Sequence, residues 1–196
     1  MSGNVYLVTG GTRSGKSSFA QRLAEKWGTQ VVYVATAEAG DPEMRERIAK
    51  HQASRPAAWT TVEAPLRLRE AIAAHGATAE VILVDCLTMF ISNLIFREIG
   101  IVAEHENPAI DPRVEAFIQD EISALLQMAA TVPAKIIFVS NELGSGLVPS
   151  HNLGRLYRDM VGRANQQIAA AAVGVFWVTC GIAVDLKKLE YHPEPG

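Results

Sequence analysis

The sequence is poor in several things, and each scarcity excludes something. Cysteine occurs twice in 196 residues, too rarely for a disulfide framework. Cys86 and Cys180 each follow an apolar run, which predicts interior thiols without a bridge. Five histidines and these two cysteines show no zinc-ligand spacing, so no structural metal is expected. Basic charge is not in excess: 18 Lys plus Arg stand against 21 Asp plus Glu, which argues against a nucleic-acid partner. No apolar run approaches the ~18 residues that cross a bilayer. Met1-Ser2-Gly3-Asn4 enters an apolar stretch with neither basic region nor cleavage site, so the expectation is a cytoplasmic protein with no membrane span. Fixed-period repeats and low-complexity tracts are also missing.

What is present is core material. Hydrophobic residues make up 48% and charged residues 20%, which predicts one compact domain spanning 1–196. Five short runs rich in Val, Ile, Tyr and Phe, namely Val5–Val8, Val31–Val34, Val81–Val84, Ile136–Val139 and Val175–Val178, read as strands buried on both faces. Helical spacing fills the intervals: Lys16–Trp27, Glu43 to about Ser54, Leu66–Ala74, Leu87–Phe96, Arg113–Ala130 and Asn152–Ala172. This alternation predicts an α/β fold, a mostly parallel sheet flanked by helices with right-handed crossovers. Gly100–Pro112, with two prolines and no periodicity, reads as a surface excursion, and Tyr191–Gly196 as a frayed end.

The strongest chemical signal follows the first run. Gly10-Gly11-Thr12-Arg13-Ser14-Gly15-Lys16-Ser17 matches G-x-x-x-x-G-K-[ST] between a strand and a helix, as a phosphate-binding loop requires. Its glycines let backbone N–H groups converge on phosphate oxygens, and the helix adds its positive N-terminus. Lys16 reaches the β/γ-phosphates and Ser17 binds Mg²⁺ in this reading. A second metal-side group is expected at the end of a neighbouring strand, and Val81-Ile82-Leu83-Val84-Asp85 offers Asp85; the same residue could instead cap the following helix. Glu142, after the fourth run, is another carboxylate where open α/β sheets bind ligands.

A third pattern is a histidine between arginines. Arg47, His51 and Arg55 stand at i, i+4 and i+8, although Pro56 places Arg55 at or past the helix end. Neighbouring guanidinium groups favour the neutral imidazole, the form able to attack phosphorus. Spacing alone equally describes a solvated charged face.

Taken together, Thr9-Gly10-Gly11-Thr12-Arg13-Ser14-Gly15-Lys16-Ser17, Tyr33-Val34-Ala35-Thr36-Ala37 and Arg47-Ile48-x-x-His51-x-x-x-Arg55-Pro56-x-x-Trp59-x-Thr61-x-Glu63 resemble the bifunctional adenosylcobinamide kinase/adenosylcobinamide-phosphate guanylyltransferase family. Asp85-Cys86-Leu87-Thr88, Ser140-Asn141-Glu142-Leu143-Gly144 and Arg158-Asp159-x-x-Gly162-Arg163-x-Asn165-Gln166 agree, so the resemblance spans nearly the whole chain. It implies a RecA-like P-loop fold, a homotrimer, ATP and GTP as substrates with Mg²⁺, and a corrinoid acceptor. It further implies phosphorylation of the aminopropanol hydroxyl of adenosylcobinamide, then transfer of GMP from GTP through a histidine intermediate. That histidine is His51 by its place in the motif. Gly10 to Ser17 carry over as phosphate site, Ala35, Thr36, Ala37, His51, Gln52, Ala53 and Ser54 as guanine-nucleotide contacts, and Glu63 and Asp85 as further nucleotide or metal contacts. A P-loop kinase without transferase activity and a RecA-like regulatory NTPase are the other readings of the same loop.

Overall fold

The computed structural model describes residues 3–38, 46, 55–100 and 112–191. They form one seven-stranded sheet in the order β3-β2-β4-β5-β1-β6-β7. The strands are β1 (Val5–Gly10), β2 (Val31–Ala35), β3 (Thr60–Glu63), β4 (Val81–Asp85), β5 (Lys135–Asn141), β6 (Gly174–Thr179) and β7 (Ile182–Asp185). All neighbours pair in parallel except β6 and β7. The described helices are α1 (Lys16–Trp27), α2 (Leu68–His75), α3 (Leu87–Ile99), α4 (Pro112–Ala129) and α5 (Asn152–Ala171).

Alternation along each strand sorts its side chains between two cores. Leu7, Val32, Val34, Ile82, Val84, Ile136 and Phe138 pack with apolar stripes of α2 to α5. Val8, Val31, Tyr33, Val81, Leu83, Ile137 and Val139 face the other way, against Ala20 and Ala24 of α1. Alanines on that stripe let α1 lie close to the sheet, so the loop before it is held tightly to the sheet's carboxyl edge.

Five strands and five helices fall where the apolar pattern places them, and two strands do not. Thr60–Glu63 and Ile182–Asp185 are edge strands whose residues are mostly exposed or half-buried, so neither carries the continuous apolar run of a covered strand. β6 is likewise not buried on both faces: Phe176 is half-buried, Thr179 is exposed and Trp177 stays 43% exposed. The β6–β7 turn corrects a second expectation. Cys180 and Gly181 take φ of 51° and 78°, the left-handed pair a two-residue hairpin needs. Cys180 is therefore exposed rather than interior, whereas Cys86 is half-buried, and both thiols are free. The expected Glu43–Ser54 helix lies outside the described residues apart from Glu46, which is helical. Most of the Gly100–Pro112 excursion and the tail beyond Tyr191 lie outside them too.

Candidate active site

β1 ends at Gly10, where the chain turns away from the sheet because nothing larger fits. A Cβ on Gly10 would stand 2.2 Å from the Val178 carbonyl oxygen, at φ +155°. Gly15, at φ +95°, closes the loop, and its Cβ would meet the Gly181 Cα at 3.2 Å. Gly181 N–H donates to the Ser14 carbonyl at 2.8 Å, so the β6–β7 turn fastens the loop from behind. Gly11, Thr12 and Arg13 are exposed, and Arg13 is left-handed at φ 58°. Lys16 opens α1 with its ammonium 3.1 Å from the Gly11 carbonyl oxygen, arched back over the loop. The half-buried Ser14 hydroxyl oxygen has no partner among the described residues. Loop, lysine, Ser17 and helix N-terminus thus form a cradle suited to phosphate oxygens.

Register lines up the remaining candidates. Glu63 is opposite Ala35, and Ala35 is opposite Asp85, so all three stand at one level on the carboxyl ends of β3, β2 and β4. Parallel partners share a face, and two residues earlier that face carries Tyr33 and Leu83 in the α1 core. Asp85 is therefore presented on the side where α1 begins. The positive charge of Lys16 acts on the neighbouring Cys86 thiol, although burial first and then Asp85 hold that thiol's pKa above its ordinary value.

Asp85 does not cap α3: the N-cap is Cys86 and makes no side-chain cap. Its Oδ2 instead accepts the Tyr33 hydroxyl at 2.9 Å. Burial foremost, and then the Asp85 charge, raise the Tyr33 pKa, against a lowering by Arg55. The Arg55 guanidinium lies over the Tyr33 ring, 3.3 Å from its centroid. Thr36 is fully buried. Its hydroxyl donates to the Cys86 carbonyl at 2.6 Å and accepts the Cys86 N–H at 2.9 Å, while Asn93 holds its carbonyl at 2.8 Å. Thr36 staples β2 to the end of β4; Ala35 and Ala37, both half-buried, flank it. His51, Gln52, Ala53 and Ser54 lie outside the described residues.

The order of strands revises one expectation. Asp85 is not on the strand next to β1, because β5 lies between β1 and β4. The adjacent strand brings Asn141 opposite Gly10, and Glu142 N–H donates to the Gly10 carbonyl at 3.0 Å. Glu142 is thus the carboxylate tied most directly to the loop. Its side chain accepts Gly144 N–H at 2.6 Å and Ser145 N–H at 3.3 Å. Partial burial works against its ionisation, but these bonds and the Arg158 charge outweigh it and bring the pKa below the ordinary carboxylate value. Arg158 also donates to the Gly144 carbonyl at 2.8 Å. Sequence reading missed the parts played by Tyr33, Gly181 and Arg158, whose partners lie far along the chain and leave no local spacing to find.

No group of three or more His, Cys, Asp or Glu among the described residues could hold a metal unaided. Mg²⁺ takes one or two carboxylates and completes its shell with water and substrate phosphates. The Ser17 hydroxyl and the Asp85 carboxylate, hard oxygen donors at the cradle and on the α1 face, are the right chemistry. No helix of the described chain is long and apolar enough to cross a membrane.

Comparison with known proteins places this geometry. The family model for CobU, cobinamide kinase / cobinamide phosphate guanyltransferase, matches residues 6–186. The bifunctional adenosylcobalamin biosynthesis protein CobU of Salmonella typhimurium strain LT2 is 42% identical over 93% of this chain and 99% of its own length. The bifunctional adenosylcobalamin biosynthesis protein CobP of Pseudomonas aeruginosa strain PAO1 is 41% identical over 92% of this chain and 96% of its own. Among solved structures, the assembled ATPase EscN of the enteropathogenic E. coli type III secretion system superposes with a TM-score of 0.55 at 13% identity, over 91% of this chain and 43% of that one. The last likeness concerns the fold alone, which is RecA-like.

Proposed function

The chain belongs to the cobinamide kinase / cobinamide phosphate guanyltransferase family and is an enzyme of that bifunctional class, and we propose how its residues divide the two reactions of adenosylcobalamin nucleotide-loop assembly. In the kinase step the cradle from Gly10 to Ser17 holds ATP or GTP. The aminopropanol hydroxyl of adenosylcobinamide attacks the γ-phosphorus, the bond to the β-phosphate oxygen breaks, and the hydroxyl proton passes to a base. Here the protein's work is positioning and charge neutralisation, with Asp85 or Glu142 orienting the hydroxyl. The carrying observation is the cradle itself: an arched lysine at a helix N-terminus on the carboxyl edge, in a chain matched along nearly its whole length.

In the second step the neutral imidazole of His51 attacks the α-phosphorus of GTP. A P–N bond forms, the bond to pyrophosphate breaks, and Lys16 neutralises charge on the leaving group. The phosphate oxygen of adenosylcobinamide phosphate then attacks the same phosphorus, the P–N bond breaks, and adenosylcobinamide-GDP leaves a regenerated imidazole. Ala35, Thr36, Ala37, Gln52, Ala53, Ser54 and Glu63 bind the guanine nucleotide in this reading. Mg²⁺, held by Ser17 and Asp85, supplies further charge neutralisation on the phosphates when bound.

The proposal includes a cytoplasmic homotrimer. Exposed Trp177, Ile182, Leu186, Leu189 and Tyr191, on and after the β6–β7 edge, are apolar surface that a neighbouring subunit would cover. The deciding experiment is incubation with Mg²⁺ and α-³²P-labelled GTP, comparing the parent with His51→Ala. Acid-labile, base-stable label confined to the parent is the expected result. A folded parent that binds GTP yet takes no label would refute the covalent route and leave a kinase alone.

A further inference from the structure

The loop between β5 and α5 is held along its backbone, yet its tip stands in solvent. Asn165 Nδ2 donates to the Asn141 carbonyl at 3.0 Å, Arg158 to the Gly144 carbonyl at 2.8 Å, and Arg155 to the Pro149 and Ser150 carbonyls at 2.9 and 2.8 Å. Within the loop, Gly146 N–H closes a turn on the Leu143 carbonyl at 3.3 Å. Helix α5 also comes so near that a Cβ on Gly154 would stand 2.7 Å from the Pro149 Cβ. Between these anchors Leu147 is 97% and Val148 71% exposed. A slack loop would fold two adjacent apolar side chains back onto the protein. The braces on either side keep them out.

The same bonds fix where the tip stands. Asn141 is opposite Gly10 and Glu142 N–H donates to the Gly10 carbonyl at 3.0 Å, so the loop leaves the sheet at the phosphate cradle. The Leu143–Gly146 turn keeps its ends within ~7 Å, and one Cα step of ~3.8 Å on each side puts Leu147 within about 15 Å of Glu142. Trp177 and Ile182, which a neighbouring subunit would cover, lie across β1 from this loop, on β6 and β7. The tip is therefore a separate apolar ledge on the β5 side of the cradle. What must come to that rim is an acceptor whose hydroxyl reaches the γ-phosphate while the rest of the molecule, far larger than the cradle, lies outside it. A corrinoid suits such a ledge, because its ring has aliphatic edges and carries the reacting hydroxyl on a side arm.

We propose that Leu147 and Val148 form the apolar seat of the corrinoid acceptor. The assignment rests on the family reading of that acceptor as a cobinamide and deepens it by naming residues that meet its ring. Both reactions present the same macrocycle, so the seat serves phosphorylation and guanylyl transfer alike, whereas the nucleotide binds without it.

The test uses the intact protein and adenosylcobinamide, kept in the dark. Binding is followed in equilibrium dialysis by the corrinoid's own visible absorption, and the KM for adenosylcobinamide in the kinase reaction is measured beside it. Leu147→Ser/Val148→Ser is expected to weaken binding and raise that KM at least about tenfold, the scale of burying roughly half of two aliphatic side chains. Affinity for GTP, oligomeric state by light scattering and thermal midpoint are expected to stay at parental values. Leu147→Met/Val148→Ile, still apolar, recovers most of the loss. A double serine variant that binds adenosylcobinamide as the parent does overturns the proposal. So does a loss accompanied by a change of oligomeric state or of GTP affinity, because the tip then serves a neighbouring subunit or the nucleotide. Equal losses in the serine and the apolar variants overturn it as well. A parent that neither binds nor phosphorylates adenosylcobinamide refutes the acceptor reading itself, a failure visible before any variant is made.

Discussion

Replacing Thr36 by valine exchanges one hydroxyl for a methyl of nearly the same shape, in a position with no exposed surface. Two hydrogen bonds disappear with it, to the Cys86 carbonyl at 2.6 Å and from the Cys86 N–H at 2.9 Å. The carbonyl keeps the Phe90 N–H at 3.2 Å, so its loss is partial. The Cys86 N–H keeps no described partner, and an orphaned buried donor costs ~1–3 kcal/mol. Adding a fraction of a normal hydrogen bond for the carbonyl gives a net loss of ~2 kcal/mol, or roughly 4–8 °C in the thermal midpoint of a chain this size. Thr36→Ser keeps the hydroxyl and loses one buried methyl, worth ~0.8 kcal/mol. The expected order of urea midpoints is therefore parent, serine, valine. A valine variant at least as stable as the serine one would refute the claim that the hydroxyl staples β2 to β4.

Gly10→Ala sets a Cβ 2.2 Å from a backbone carbonyl that cannot yield, so it should cost ~1–3 kcal/mol. Gly11→Ala, whose Cβ would meet nothing within 4 Å, should leave the thermal midpoint nearly unchanged; equal losses would contradict this account of the cradle. Glu80 accepts the Thr29 and Gln30 N–H groups at 2.6 and 3.0 Å, and these bonds lower its pKa below the ordinary value. A depressed folded pKa contributes stability above the unfolded value, near ~4.3, and loses it as pH falls through the folded one. Glu80→Gln should therefore lie below the parent in urea midpoint at pH 7, with the gap closing in acid below that value. A gap independent of pH would sink the assignment.

Legibility in the sequence followed burial. Four of the five strands found from apolar runs are covered on both faces, so each announces itself over four or five consecutive residues. Thr60-Thr61-Val62-Glu63 could not, since β3 is a sheet edge and needs backbone pairing with β2 more than an apolar face. Helix α1 was legible to the residue because both its ends are local events: a left-handed Gly15 at its start and Gly28 after its end, whose N–H returns to the Ala24 carbonyl at 3.1 Å. Cys180 shows the opposite case. Its apolar approach suggests an interior, but a tight turn of two left-handed residues forces the side chain out.

The site divides along the same line. The phosphate loop lies within eight consecutive residues and is readable without any knowledge of the sheet. Which carboxylate stands next to it depends on strand order, and strand order is set by which helices cross which face, a property of no single segment. With β5 inserted beside β1, the backbone of Glu142 is hydrogen-bonded to the loop, while Asp85 sits one strand farther away, held by Tyr33. The two acids are therefore not equivalent candidates for orienting the acceptor hydroxyl. Glu142 has both carboxylate oxygens engaged by its own turn, so freeing it to orient a substrate means giving up those bonds. Asp85 spends Oδ2 on a tyrosine, which leaves Oδ1 for a metal shell. Physical economy thus favours Asp85 as the metal-side group and Glu142 as the post that holds the loop after β5 against the cradle.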